Sequence, residues 1–195
     1  VLVEGLDGKA AAGTQAQQIR DLYQSYLDQK TRNAKGTAPL LPMLSEIEQI
    51  RTPQDLARAF AQSGRIGGNA PFGFWIDADA KAPDSYAVYL YQSGLSLPDR
   101  DYYLKTDAAS QALLQKYEQH IAAMLSRFGE ADAGAKAKRI LALETRLAQI
   151  QWDNVALRDR EKNYNKGPVS ELKRLAPAID WDAYLGQAGL AGQQS

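Results

Sequence analysis

Residues 92–104, QSGLSLPDRDYYL, set the run Asp99-Arg100-Asp101 between Pro98 and the pair Tyr102-Tyr103. Two carboxylates flanking a guanidinium could serve acid/base chemistry, but that work needs a partner with a tuned pKa, or a metal. Neither is legible in the sequence. The single histidine, His120 in HIAAM, stands beside an apolar stripe. One histidine cannot build the zinc-protease arrangement of two histidines four residues apart with an adjacent glutamate. No G-x-S-x-G elbow is present, so a serine triad would have to recruit His120 from a helix face. Gly64, Gly67 and Gly68 in SGRIGGNA lack the lysine–serine pair and the preceding strand of a phosphate loop. Asp77 with Asp79, or Asp180 with Asp182, could hold calcium loosely but lack the ligand density of a calcium loop, so turns and helix caps are expected there. Tyr86, Tyr89 and Tyr91 with Trp75 could form a stacking platform, yet no basic rim accompanies them and sheet packing is expected. No catalytic, cofactor-binding or metal-ligating residue is assigned. The 92–104 stretch is expected to be a joint: Gly94 and Pro98 turn the chain, and Tyr102-Tyr103 anchor the next helix. Arg100 ties loop backbone or a neighbouring carboxylate through forked hydrogen bonds.

The elements that must position this joint follow from periodicity. From Thr14, with Gln17 as a possible capping-box partner, Ile19, Leu22, Tyr23 and Tyr26 recur at helical steps and predict a face for burial. PLLPMLSEIEQI predicts a second helix with Leu40, Leu44 and Ile47 on one side, its prolines tolerable only near the start. Thr52-Pro53-Gln54-Asp55 reads as N-cap, N1 proline and acidic first turn of a helix ending at Gly64. The period then changes to two. PFGFWIDA and SYAVYLYQ predict a hairpin turned by Ala82-Pro83-Asp84, with Phe72, Phe74 and Ile76 on one face. Such a hairpin is marginal alone and must lie on helices. Beyond the joint, Leu113, Tyr117, Ile121, Met124 and Phe128 form one apolar stripe closed by Gly129, and Ile140, Leu143, Leu147 and Ile150 another. These two helices are expected to be antiparallel neighbours. PVSELKRLAP and DWDAYLGQAGL read as short terminal helices. The fold class is mainly α, a multi-helix domain with one β-hairpin, and residues 1–195 are expected to form a single unit without an internal boundary.

The chain has 195 residues, 45% of them hydrophobic, with 23 basic and 23 acidic side chains. This balance excludes a polyanion-binding field, so no nucleic-acid partner is expected. The absence of cysteine excludes thiol catalysis and thiolate metal sites. No apolar run approaches the roughly 18 residues of a membrane span. The start, VLVEGLDGKAAAG, lacks the basic and apolar regions of a signal peptide. A chain opening at Val1 inside an apolar phrase reads as a piece of a longer one.

Taken in order, IRDLYQSYLD (19–28), APLLPMLSEIEQI (38–50), DADAKAPDSYAVYLYQSGLSLPDRDYYL (77–104), ALETRLAQIQW (142–152) and DREKNYNKGPVSELKRLAP (159–177) resemble a zinc metalloendopeptidase of the neprilysin family, in its bacterial oligoendopeptidase-O-like branch. The most specific phrase is G-L-x-L-P-x-R-D-Y-Y, here Gly94, Leu97, Pro98, Arg100, Asp101, Tyr102 and Tyr103. The resemblance covers nearly the whole chain. It implies a much longer two-lobed enzyme in which zinc polarises a peptide carbonyl and activates water. Zinc would be bound outside this chain, in a C-terminal lobe. This chain would be the N-terminal part of the helical covering lobe, which encloses the active-site cavity, restricts substrates to short peptides and is inactive alone. The resemblance further implies the C-terminal zinc-binding lobe and peptide substrates as partners, and a periplasmic or secreted location in a bacterium, with the cytoplasm as the alternative. Apolar faces left bare in such a fragment are expected to drive its dimerisation. A different class, a free-standing helical protein- or peptide-binding module with no catalytic half, is the alternative.

Overall fold

In the computed structural model, residues 10–192 are described. They form ten α-helices and one two-stranded antiparallel sheet. The chain divides into two compact units, Val1–Ser45 and Glu46–Ser195. The division falls between Ser45 and Glu46, inside a helix and not in a linker of turn residues, and composition alone does not reveal it.

In the first unit, α1 (Gln15–Leu27) starts where Thr14 accepts the Gln17 backbone N–H, and the Gln17 side chain accepts from Gly13 N, one residue earlier than a standard capping box. Asp28 ends α1 and caps α2 (Gln29–Lys35) by accepting from Thr31 N. A short 3-10 turn at Ala38–Leu40 leads into α3 (Leu41–Glu48). The face expected to be buried is not: Ile19, Leu22, Tyr23 and Tyr26 are exposed, as are Leu40 and Ile47, whereas Leu44 is partly buried. Helical spacing states which side chains share a face but not whether a neighbour is present to cover it.

The second unit opens with α4 (Pro53–Arg65), whose capping box is complete: Asp55 N donates to Thr52 Oγ1, and the Asp55 carboxylate accepts from Thr52 N. The helix runs past Gly64. Gly67, at φ +75°, takes the left-handed position, and Gly68 N closes the turn on Ser63 O. Buried Ala57 and Ala61, one turn apart, let α10 (Trp181–Ala188) approach closely through Trp181, Tyr184 and Leu185. The strands β1 (Phe72–Asp79) and β2 (Ala82–Gln92) lie on this helix pair, Phe72 packing edge-on against Phe60 and tilted against Trp181. Ile76 shares the face of Phe72 and Phe74 but extends beyond the helices and is exposed.

The hairpin turns earlier than expected. Asp79 pairs with Ala82, leaving Ala80-Lys81 as the turn, and Pro83–Ser85 become extra residues on β2 before Tyr86 meets Ala78. The side chain of Asp79 accepts from Lys81 N and so makes the turn itself. On the outer face the Tyr91 ring covers Gly73: a Cβ there would lie 2.4 Å from Tyr91 Cζ. Trp75 stacks on Tyr89 with the rings 5° from parallel. Trp75, Tyr89 and Tyr91 thus form a cross-strand ladder, whereas Tyr86, paired with Ala78, lies outside it and is exposed.

The rest of this unit is α5 (Asp101–Leu104), α6 (Ala108–Arg127) and α7 (Ala133–Ile150), then short turns and helices, α8 (Arg160–Asn163) and α9 (Val169–Leu175), before α10. Helices α6 and α7 are neighbours, and Gly129 takes the left-handed position after α6. The buried face of α7 differs from the expected stripe. It is Ala137, Glu144 and Ala148, while Leu143 and Ile150 are exposed.

Candidate functional site

The 92–104 stretch is positioned from three sides. Gly94 has φ +90°, and a Cβ on it would sit 2.9 Å from Pro71 Cα and 3.3 Å from Leu147 Cδ1, so the chain leaves β2 where only glycine fits. Gln92 forms two hydrogen bonds with the Trp152 backbone, its Nε2 donating to the carbonyl and its Oε1 accepting from the N–H, both at 2.9 Å. Gln151 Nε2 donates to Ser93 O at 2.7 Å. The end of the hairpin is thereby fastened to the end of α7.

The centre of the joint is Glu144, 8% exposed, on the inner face of α7. Three hydroxyls donate to its carboxylate: Ser96 Oγ at 2.8 Å, Tyr103 Oη at 2.8 Å, and Tyr117 Oη at 3.1 and 2.9 Å to the two oxygens. Tyr103, 4% exposed, also accepts from Leu97 N at 2.9 Å. Burial, reinforced by the neighbouring Glu144, pushes the Tyr103 phenol well above its ordinary value, and the same causes raise that of Tyr117. Each phenol therefore remains a donor across the ordinary pH range, which holds the carboxylate saturated. A buried carboxylate with three hydroxyl donors is held in one place. What it does is link the loop, α5, α6 and α7 at one point.

The charged run is equally committed. Arg100 Nε donates to Ala148 O at 3.1 Å, a single bond to a helix carbonyl and not the expected fork. Asp99 accepts from Asp101 N at 2.8 Å and from Asn154 Nδ2 at 3.2 Å. Asp101 stands in the first turn of α5, 3.5 Å from Lys105 Nζ. Tyr103 is buried while its neighbour Tyr102 is exposed. Leu97 contributes its N–H and Pro98 lies in the turn before α5. Sequence reasoning missed Glu144, because a carboxylate at a core position looks polar. Its place at i+7 from Ala137 and i−4 from Ala148, opposite a tyrosine pair, was the available signal.

A second cluster fixes the hairpin tip. Asp79, 1% exposed, accepts from Lys166 Nζ at 2.6 Å and Tyr164 Oη at 2.9 Å besides Lys81 N. The Lys166 hydrogen bond is the main reason its carboxyl falls to about 2, with the Lys81 N–H next. Asp180 caps α10 by accepting from Ala183 N, and Asp182 pairs with Lys173 at 2.7 Å. Among the described residues no group of three or more His, Cys, Asp or Glu could hold a metal ion, and His120 is exposed on α6. The described residues therefore do not fit a zinc site. An open apolar groove of about 480 Å³ between α4, the hairpin and α10, walled by Phe60, Phe72, Leu90 and Trp181, offers almost no polar group to orient a ligand.

The profile of peptidase family M13 matches residues 2–195. The chain belongs to peptidase family M13, in its N-terminal region. It is 27% identical to human endothelin-converting enzyme-like 1 over 92% of this chain and 25% of that protein. Mouse endothelin-converting enzyme 1 is 37% identical over 58% of the chain and 15% of its own length. Among solved structures, the zinc metalloprotease Zmp1 of Mycobacterium tuberculosis, crystallised with an inhibitor, is 34% identical with a TM-score of 0.85, covering 96% of this chain and 29% of that one. PepO from Lactobacillus rhamnosis, 24% identical with a TM-score of 0.72 over 97% of this chain and 30% of that one, shares the fold. The M13 chain described here thus spans about a quarter of its relatives' length. No helix among its described residues is long and apolar enough to cross a membrane.

Proposed function

We propose that this chain is the N-terminal, non-catalytic part of a zinc metalloendopeptidase that hydrolyses short peptides. In this reading it contributes to the lobe that encloses the active-site cavity and limits substrate size, and it is inactive by itself. The observation that carries it is the match of residues 2–195 to the M13 profile together with the likeness to a zinc metalloprotease of which the chain spans 29%. Residues 1–195 act as one fragment of that N-terminal domain. Zinc, bound outside this chain, would supply the Lewis acid of the reaction. The partners are then the C-terminal zinc-binding part of the same polypeptide and its peptide substrates, and the location is the periplasm or exterior of a bacterium.

The internal saturation of the joint supports a scaffold role. Ser96, Tyr103 and Tyr117 spend their hydroxyls on Glu144, and Arg100 spends its Nε on a helix carbonyl, so these groups hold a wall in shape and leave none of those atoms for a peptide. The test compares this chain with the longer gene product on a quenched fluorescent peptide, with and without a chelator. The longer protein is expected to cleave the peptide in a zinc-dependent way and to spare folded proteins, while the 195-residue chain gives no turnover. Zinc-dependent cleavage by the short chain alone overturns the reading. So does a gene that encodes no zinc-binding helix downstream, which would leave a helical binding module.

A further inference from the structure

We propose that the open end of the hairpin is a docking site for an extended peptide, which adds as a strand to the outer edge of β2 and sets one large apolar side chain into the groove beside Leu90. This rests on the proposed function only for the premise that the partner is a peptide, and deepens it by naming where such a peptide would lie. Ser93 N donates to Pro71 O, which fixes the phase of the ladder. From there the register pairs Gly73 with Tyr91 and Trp75 with Tyr89. In an antiparallel ladder, hydrogen-bonded pairs alternate with pairs whose N–H and C=O turn away. Val88 and Leu90, opposite Ile76 and Phe74, therefore present both backbone groups outward. Among the described residues no other backbone group bonds to them. The edge of β1 is less open: at its tip Ala78 N donates to the Asp77 carboxylate and Ala78 O accepts from Tyr89 Oη.

Edge and groove are complementary halves of one site. The groove of about 480 Å³ is walled by Phe60, Phe72, Leu90 and Trp181 and has almost no polar group of its own. The strand edge beside it supplies donors and acceptors at the spacing of an extended chain. Residues paired across a ladder share a face, so a peptide residue opposite Leu90 points its side chain to the face of Phe72 and Leu90, over the groove. A peptide residue opposite Tyr86 lies against Tyr86 and Ile76, which are 79% and 55% exposed on that same face. The run Tyr86–Leu90 is about 16 Å long, so the occupant is a segment of roughly five residues with apolar side chains at alternate positions. Beyond Tyr86 the edge is closed by Pro83 and the extra residues of the bulge. A second copy of β2 fits worse. Pairing its Tyr86 with Leu90 would set its Asp84 opposite Gln92, on a groove wall that carries no cation among the described residues.

The probe is a seven-residue peptide with leucine, phenylalanine and leucine at alternate positions, threonine between them and lysine at each end. It is titrated into the 195-residue chain and followed by fluorescence anisotropy and by amide exchange resolved residue by residue. In the free chain the amides of Tyr89 and Tyr91 are expected to be protected and those of Val88 and Leu90 open. Saturating peptide should slow exchange at Val88 and Leu90 at least about tenfold while leaving that of α7 unchanged. N-methylation of the peptide's leucine and phenylalanine amides should weaken binding by about tenfold or more. Val88→Pro, which removes an outward N–H and no ladder bond, should do the same. The methylated peptide leaves the protein untouched, so the result does not hang on how the variant folds. Equal affinity for the plain and methylated peptides overturns the inference, as does equal affinity for a peptide of the same composition with its apolar residues adjacent. It is also overturned if Val88 and Leu90 are already protected in the free chain, or if their protection rises with chain concentration, which makes the occupant a second copy. Protection in the longer protein without peptide overturns it too, because the remainder of that polypeptide then covers the edge. A longer protein that protects these amides on adding peptide but cleaves none refutes the peptidase reading alone. One that cleaves peptide, while the short chain never binds the probe, refutes this inference alone.

Discussion

Two buried carboxylates in this chain are satisfied by opposite means. Glu144 is met by three neutral hydroxyls and Asp79 by an ammonium, a phenol and a backbone N–H. Hydroxyls can rotate to donate, so Glu144 joins partners from three elements without importing a second charge. The Asp79 pair instead makes the hairpin tip sensitive to acid. Its carboxyl titrates at about 2 in the folded chain against an ordinary 3.8, chiefly because Lys166 donates to it. A depressed folded value means the contribution is fully present above pH ~4 and is lost as pH falls toward 2, because the unfolded chain takes up the proton first. Asp79→Asn should therefore lower the urea midpoint at pH 7 and at pH 4.5, with the gap from the unsubstituted chain closing by pH 2. Equal midpoints at pH 7 would show that the Lys166 pair contributes nothing net to stability.

At the scale of elements, the question is what lets a hairpin end where a helix pair begins. Gly94 answers it: the positive φ and the 2.9 Å approach of a would-be Cβ to Pro71 Cα are both intolerant of a side chain, and the clash is with backbone that cannot swing aside. Gly94→Ala is expected to cost about 1–3 kcal/mol through strain at a left-handed position. Urea unfolding reads that loss; a change within error would mean that β1 and β2 can part at Pro71 without penalty. The helices and the hairpin themselves were legible in the sequence, because capping boxes and period changes are local signals: Thr52-Pro53-Gln54-Asp55 is a complete helix start within four residues. The hairpin turn was misplaced because Pro83 looks like turn chemistry. The turn is instead made where Asp79 accepts from Lys81 N, and Lys166, 87 positions away, holds the same carboxylate. The buried face of α7 was misread for a similar reason. Apolar Leu143 and Ile150 outrank Glu144 on any hydrophobic scale, and only Tyr103, Tyr117 and Ser96, distant in sequence, make that carboxylate an inside residue. The centre of the joint, Glu144, was not legible in the sequence.

At the scale of the molecule, the two units differ in what holds them. Every buried hydrophobic side chain among the described residues, from Ala57 to Leu190, lies in Glu46–Ser195. That unit has an aromatic core around Phe72, Trp181 and Tyr184, with ring centroids 5.1 to 5.7 Å apart, and a second centre around Glu144. Burial pushes the Tyr184 phenol up to about 12, as expected for a ring enclosed on several sides. The first unit has capped helices but no buried residue among those described. Capping contributes about 1 kcal/mol per site, whereas burial of one large side chain contributes about 1.5–3 kcal/mol, so the cooperative transition belongs to the second unit. A chain beginning at Glu46 is therefore expected to fold alone, keep the near-ultraviolet circular dichroism of its packed tyrosines and tryptophans, and unfold in urea with a single transition. Residues 1–45 expressed alone should show only partial helicity, because helices of 13, 7 and 8 residues without a packed face fall below the length at which isolated helices persist. If the shortened chain lost its near-ultraviolet signal, the first 45 residues would be part of the same cooperative structure. The division inside α3 would then mark a change in packing density within one folding unit.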